Sequence, residues 1–255
     1  MSKRSSPSDI DIVSLLNDLK PQINAALEAV LPRVFDDESV TRLIGPARYA
    51  YDCTALTKAI SVPMWDLLDR GGKRWRPALL ILIAEALGKD AASVMDCVAL
   101  VELAHQGTLG VDDVEDSSDL RRGAPCIHLV YGVDVAINAS NALYFFPLVN
   151  LRGRKDLPAE TLIKLYETYS QEMMAVHVGQ GMDIHWHSGK HEKEPTPDQY
   201  LQMVANKTGC LARMAAKLAA LTCGADDETV KAFGWFASGI GVAFQIFDDL
   251  LSLES

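Results

Sequence analysis

The sequence predicts a single all-α domain, and three observations predict it. Apolar residues recur at threes and fours nearly throughout the 255 residues, the spacing that lines one face of a helix. No stretch sustains the apolar–polar alternation of strands between hairpin turns. Capping residues and prolines stand ahead of the periodic segments, and glycine or proline closes several of them.

Taken in order, the first helix carries Ile12, Leu15, Leu16, Leu19, Ile23, Leu27, Val30 and Leu31, and Pro32 ends it. Pro77 reads as a first-turn proline opening a helix over Ala78–Leu87, with Gly88 as its stop. Ser93 is placed to cap the next helix, which runs through Val94, Val98, Val101, Leu103 and Ala104. Further helices are expected from near Pro158, Thr196 and Asp227, with His187 to Thr196 as a polar loop between two of them. Residues 1–8 are polar and read as disordered, and 9–255 as one domain without repeat or linker.

Composition sets outer limits. The chain is 49% apolar and 23% charged, an ordinary globular balance. A formal charge of −10 argues against nucleic acid or an anionic membrane as the main partner. It suits either the gathering of divalent cations or a plain solvated surface. Cys53, Cys97, Cys126, Cys210 and Cys223 form no CxxC pair, and no signal peptide is recognised. Reduced thiols and a cytoplasmic location are therefore expected. The longest apolar run, Ala78–Ala84, stops at Glu85, so no membrane span is expected.

Two acidic clusters carry the chemistry. Asp112-Asp113-Val114-Glu115-Asp116 is followed by Leu120-Arg121-Arg122-Gly123, and Asp248-Asp249 lies far downstream. Acids packed this densely repel one another unless a cation holds them. On a helix, Asp112 and Asp116 stand one above the other, about 5–6 Å apart, which suits hydrated Mg²⁺. Arginines beside them suit a polyanion that bridges to the metal. An isolated acidic helix end is more often a solvated one, but Asp112 follows an apolar face, Leu103–Leu109, and so sits at the rim of a core. The second pair closes an apolar helix through Ile240, Val242, Ala243, Phe244 and Ile246, where Gln245, Asp248 and Asp249 are the polar group and need partners.

The basic elements are Gly71-Gly72-Lys73-Arg74-Trp75-Arg76, Arg121-Arg122 and Lys207-Thr208-Gly209. The glycines allow close backbone approach, and Lys73 and Arg76 place charge beside a helix N-terminus, which makes an anion cradle or a basic turn. His105 lies seven residues before Asp112 on nearly the same face, either as a buried hydrogen-bonded histidine or as a phosphate contact. His185, His187 and His191 have a zinc-like spacing but no cysteine among them, and read as an exposed loop.

These residues resemble the trans-isoprenyl diphosphate synthases, or polyprenyl synthetases, of the geranylgeranyl type. The matching segments are Gly72–Pro77, Val101–His105, Asp112–Asp116 with Leu120–Gly123, Gly179-Gln180-Gly181-Met182-Asp183, Lys207–Gly209 and Phe244–Asp249. They come in the family's order and cover about residues 60–252. The resemblance implies a bundle of long helices around a central cavity, the isoprenoid synthase fold. It implies Mg²⁺ as cofactor, isopentenyl diphosphate and an allylic prenyl diphosphate as substrates, and a homodimer. Asp112, Asp116, Asp248 and Asp249 would hold metal, with Asp113 in support. Arg121 and Lys207 would contact the allylic diphosphate. Lys73, Arg76, His105 and Arg122 would hold isopentenyl diphosphate at Gly72. Thr208 and Gln180 would steady the allyl cation and the leaving group, and Gln245 the second metal wall.

The resemblance also implies a product length. Thr108 and Gly107, four and five positions before Asp112, are small where farnesyl-type relatives carry bulky aromatics, so the product is expected at C20 or longer. Tyr144, Phe145 and Phe146 are candidate floors for the pocket. Ser252 stands where the second motif often has a third Asp, and relatives are expected to continue past the position of Ser255 with a lysine-bearing loop and more helices. Two rival readings are a class I terpene cyclase, which has no second diphosphate for Lys73, Arg76 and His105 to hold, and a non-catalytic subunit, which would be expected to have lost an acidic cluster.

Overall fold

The computed structural model describes residues 11–189 and 193–254, the side chains of 252–254 excepted. The expected disorder at 1–8, His191 and the side chain of Ser252 lie outside the described residues. Helices α1 (Ile12–Val30), α2 (Asp37–Ile44) and α3 (Cys53–Leu56) lead into a π-helical turn, Thr57–Ser61, that continues as α4 (Val62–Asp69). Then come α5 (Trp75–Ala86) and α6 (Met95–Glu115), a short hairpin of β1 (Leu120–Arg121) and β2 (Ala124–Pro125), and α7 (Ile127–Tyr131), α8 (Val133–Phe145) and α9 (Leu148–Arg152). The long α10 (Ala159–His187) precedes α11 (Pro197–Val204), which passes through a second π-helical turn, Ala205–Gly209, into α12 (Cys210–Thr222), and α13 (Asp227–Glu254) follows.

Apart from that hairpin the regular elements among the described residues are all helical, as the periodicity predicts. Helix α6 is the axis: every residue from Cys97 to Ala104 is buried. A helix apolar all round belongs inside, and two cores meet on it. One joins Ile81, Val101, Leu211, Met214 and Leu218 of α5, α6 and α12. The other joins Leu27, Met64, Leu67, Leu103 and Leu143 of α1, α4, α6 and α8. Glu172 on α10, 1% exposed in its side chain, accepts from Arg213 and Lys217 Nζ (2.8 Å) and fastens α10 to α12.

Several expectations shift at element ends. Helix α5 begins at Trp75, so Pro77 sits third in it, still in the turn whose N–H groups lack partners. Ser93 caps nothing: Asp90 caps a 3₁₀ turn, Ala91–Val94, accepting from the Ala92 N–H at 2.8 Å, while the Ser93 hydroxyl donates to the Asp90 carbonyl at 2.7 Å. His185 and His187 form the last turn of α10, and the loop starts only at Ser188. Thr196 caps α11 as its sequence suggests. By length and composition α13 is apolar enough to cross a membrane over Asp227–Leu251, at mean hydropathy 1.3. Reading uninterrupted runs alone misses this, because polar residues break the helix up. In the fold its small residues Gly234, Ala237, Ser238 and Gly241 are buried, and Gly241 and Ser238 pack against Gly209 ahead of α12.

Candidate active site

Two chain reversals and one helical irregularity bring the basic residues together. The first is Gly71–Arg74 between α4 and α5, where Gly71 (φ +86°), Gly72 (φ +146°) and Arg74 (φ +52°) all take positive φ. Arg74 is held there by its buried ion pair with Glu102 on α6 (2.5 Å) and by the Leu68 carbonyl (3.0 Å). The second is the β1–β2 hairpin, whose turn residues Arg122 (φ +55°) and Gly123 (φ +76°) both have positive φ, the type I′ geometry of a two-residue hairpin. Gly72 matters to both: a β-carbon there would lie 3.2 Å from the Arg122 guanidinium. Arg122 Nη1 donates to the Leu67 carbonyl at 3.0 Å. The third is the π-helical turn Ala205–Gly209, which shifts the helical register and turns Lys207 and Thr208 inward. A β-carbon at Gly179 would lie 2.3 Å from the Lys207 backbone nitrogen, so only glycine lets α10 come this near.

These elements border a cavity of about 620 Å³ lined by the cations Lys73, Arg76, Arg121, Arg122 and Lys207, and by acids from α6 and α13, Asp112, Glu115 and Asp248. Asp112 is the hub. It faces Lys207 Nζ at 3.1 Å, Arg121 Nη2 at 3.5 Å and the Gln180 amide at 2.9 Å. Asp113 is fully buried and pairs with Arg121, so it anchors that arginine and does not reach the cavity. Asp116 caps α6 just beyond the cavity lining, near the charges of Asp112, Lys207 and Asp183; burial, then the Asp112 carboxylate, push its pKa up. Burial works to lower the Lys207 pKa, but the Asp112 and Asp183 carboxylates outweigh it.

At the opposite end Arg76 Nη1 lies 3.2 Å from His105 Nε2. Burial lowers the Arg76 pKa to about 10. Burial, then Arg76, hold His105 well below the usual histidine range, so it is neutral at pH 7. His105 Nδ1 and Arg76 Nε are buried without a hydrogen-bond partner among the described residues. Arg76 stacks on Trp75 (4.7 Å) and Lys73 on Phe244 (5.0 Å), so the cradle's cations are steadied by aromatic faces.

The structure thus brings Gly72, Lys73, Arg76, His105, Thr108, Asp112, Arg121, Arg122, Gln180, Lys207, Thr208, Gln245 and Asp248 to one cavity. It departs from expectation in four places. Gly107 faces α8, not the cavity: a β-carbon on it would lie 2.6 Å from the Ser140 carbonyl and 2.8 Å from the Tyr144 ring. Asp249, expected as a metal ligand, accepts from Tyr200 (2.5 Å) and from the Gln245 amide (2.7 Å) instead. Asp248 is exposed at the cavity edge, so burial is not what makes its charge costly. Of the three aromatic floor candidates only Tyr144 lines the cavity, edge-on to His177 at 5.9 Å; Phe145 points to solvent and Phe146 packs on Phe35. Asp183, in the Gly179–Asp183 segment, takes the Lys207 ammonium at 2.6 Å, a contact that joins positions 24 residues apart and leaves no local sequence signal. The Arg74–Glu102 pair has no local sequence signal, since 28 positions separate its members.

The polyprenyl synthetase family model matches residues 57–255. The chain belongs to the polyprenyl synthetase family. Among curated relatives, the geranylgeranyl diphosphate synthase of Methanosarcina mazei is 34% identical over 247 residues, 96% of this chain and 68% of that one. That of Sulfolobus acidocaldarius is 34% identical over 195 residues, 75% of this chain and 57% of that one. Among solved structures, the geranylgeranyl pyrophosphate synthetase from Geoglobus acetivorans superposes with a TM-score of 0.78 at 28% identity, over 93% of this chain and 70% of that one. The enzyme of that name from Pyrococcus horikoshii gives 0.77 at 26% identity, over 94% and 66%. The polyprenyl synthetase fold is thus present, while the chain spans little more than half the length of several relatives, 57% in the Sulfolobus case.

Proposed function

We propose that this polyprenyl synthetase condenses isopentenyl diphosphate with an allylic prenyl diphosphate, through ionisation, attack and proton loss, to a trans-prenyl diphosphate of C20 or more. The observation that carries the reading is two anion sites on one cavity. Lys73, Arg76, His105 and Arg122 face one end, and Lys207, Arg121 and Gln180 surround Asp112 at the other. A cyclase needs only one of these.

Mg²⁺ fits the second end. Asp112 and Asp116 are one helical turn apart, and the raised Asp116 pKa reflects burial beside a like charge that a hard divalent cation would relieve. Among the described residues no three acid, imidazole or thiol side chains form a closed metal cage. That donor set suits an ion bound by one or two carboxylates and completed by phosphate oxygens. When bound, Mg²⁺ would neutralise charge on the departing diphosphate. Arg121 and Lys207 add fixed positive charge there, beside Asp112. Arg76 and His105 would hold the second diphosphate so that its prenyl double bond lies near the allylic carbon. The neutral His105 offers an N–H donor without adding another charge beside Arg76.

Two further features support the proposed setting. Apolar side chains stand exposed on α7, α8 and α10 (Leu129, Val133, Phe145, Met174 and Val178), a surface suited to a second copy of the chain. All five cysteines are free, in keeping with a reducing, cytoplasmic compartment. The assay is direct: isopentenyl diphosphate, farnesyl diphosphate and Mg²⁺, with products separated by chromatography. Elongation to C20 or beyond is expected. Cyclised hydrocarbon would support a cyclase, and no turnover a non-catalytic subunit.

A further inference from the structure

Behind Thr208 and Gln245 runs a hydrogen-bond chain whose direction has a chemical consequence. Thr208 and Gln245 line the cavity; Tyr200 on α11 and Asp249 on α13 stand outside it. The Thr208 hydroxyl donates to Gln245 Oε1 (2.8 Å), Gln245 Nε2 donates to Asp249 Oδ1 (2.7 Å), and the Tyr200 hydroxyl donates to Asp249 Oδ2 (2.5 Å).

A carboxylate only accepts, so whatever faces Asp249 must donate. That condition fixes the Gln245 side chain with its NH₂ toward Asp249 and its oxygen toward Thr208. Thr208 must then spend its single hydroxyl proton on Gln245. Its oxygen lone pairs are left for the cavity wall. Burial, then the bond to Asp249, raise the Tyr200 pKa to about 12, so that end of the chain stays a donor through the neutral range.

We propose that Tyr200 and Asp249 are positioning residues that fix the polarity of the Gln245–Thr208 pair, so that oxygen acceptors face positive charge developing on the prenyl chain. The inference rests on the prenyl-transfer reading above and deepens it. It also gives Asp249 a role other than metal ligation. Without the carboxylate the Gln245 amide is free to turn over, and an O–H or N–H dipole would then point its positive end at a cation.

The test separates cation from anion binding. A prenyl-chain tertiary amine, protonated at neutral pH, is titrated calorimetrically into the chain with saturating inorganic pyrophosphate and Mg²⁺; pyrophosphate with Mg²⁺ alone is titrated in parallel. Asp249→Asn lets the chain run in either direction and is expected to weaken the ammonium probe about tenfold, and Tyr200→Phe about threefold, on the scale of one charge-assisted hydrogen bond. Pyrophosphate affinity should stay within about twofold of wild type. In turnover, kcat should fall in the same order with the allylic KM unchanged. Ammonium affinity equal to wild type in both variants would overturn the proposal, as would a parallel loss of pyrophosphate affinity, which would mark Asp249 as a metal ligand. A wild-type chain that binds no pyrophosphate would overturn the diphosphate reading and this inference with it. Circular dichroism and thermal melting check each variant, and if Asp249→Asn does not fold, Tyr200→Phe decides alone.

Discussion

Gly107 and Tyr144 show how one missing side chain can govern another's place. The Tyr144 ring lies where a β-carbon on Gly107 would be, 2.8 Å away, and its phenol is buried beside the acids of α6, which raises its pKa. Smallness at 107 therefore serves the packing of α6 on α8, and Thr108 is the small residue that faces the cavity. Gly107→Phe is expected to destabilise the fold by about 1–3 kcal/mol or more through overpacking, and not simply to shorten the product. If the chain elongates prenyl diphosphates as proposed, Tyr144 is the ring placed to limit their growth, since it lines the cavity. Tyr144→Ala should lengthen the product by at least one C5 unit while lowering stability by about 3–5 kcal/mol, as large-to-small core changes do. Chromatographic product analysis beside thermal melting checks both, and an unchanged product from a folded Tyr144→Ala variant would remove Tyr144 from that role.

Between elements, the two reversals that carry Lys73 and Arg121–Arg122 are tied by Arg70, the last residue before Gly71. Its Nε and Nη2 take both oxygens of Asp66 (3.0 Å each), which Tyr131 also caps (3.0 Å), and its Nη1 donates to the carbonyls of Arg121 (3.2 Å) and Pro125 (2.9 Å). The end of α4 thereby holds the hairpin that presents Arg121 and Arg122. Lysine has the charge but not the planar fork for all four bonds. Arg70→Lys is expected to raise KM for the diphosphates about tenfold with kcat nearly unchanged, and steady-state kinetics with a normal Tm would separate this from misfolding. Equal KM values would sink the idea. How much of this was legible depends on range. Asp112, Lys73, Arg76, His105 and Lys207 could be named because each stands in a short run whose composition is odd for a helix face. The helices were legible from period, and their cores from the same residues. The hairpin was not, because two-residue strands are too short to alternate. Nor was the π turn at Ala205–Gly209, since one extra residue per turn leaves no compositional mark. The Arg70, Arg74–Glu102 and Tyr200–Asp249 contacts join distant segments, and no local pattern announces them.

Across the whole molecule, charge is sorted. The chain carries −10 overall, yet its cavity gathers Lys73, Arg74, Arg76, Arg121, Arg122 and Lys207. In the structure these cations and the acids of α6 partly satisfy one another: Lys207 and Arg121 lie on Asp112 and Arg121 on Asp113. Neither a cation nor an anion is then expected to bind well alone. Mg²⁺ by itself must compete with Lys207 and Arg121 for Asp112. Pyrophosphate by itself must draw those same side chains away and leave Asp112 and Glu115 facing it unneutralised. Bound together, each ligand takes the partner the other releases, so the two affinities must rise by the same factor. A ligand at 100 times its Kd adds about 2.7 kcal/mol of stability. For a chain of this size that corresponds to roughly 5–11 °C in Tm. Thermal melting with Mg²⁺, with pyrophosphate, with both and with neither should therefore show small single shifts and a joint shift well above their sum, shrinking as ionic strength rises. Strictly additive shifts would mean the two ions do not share this cavity.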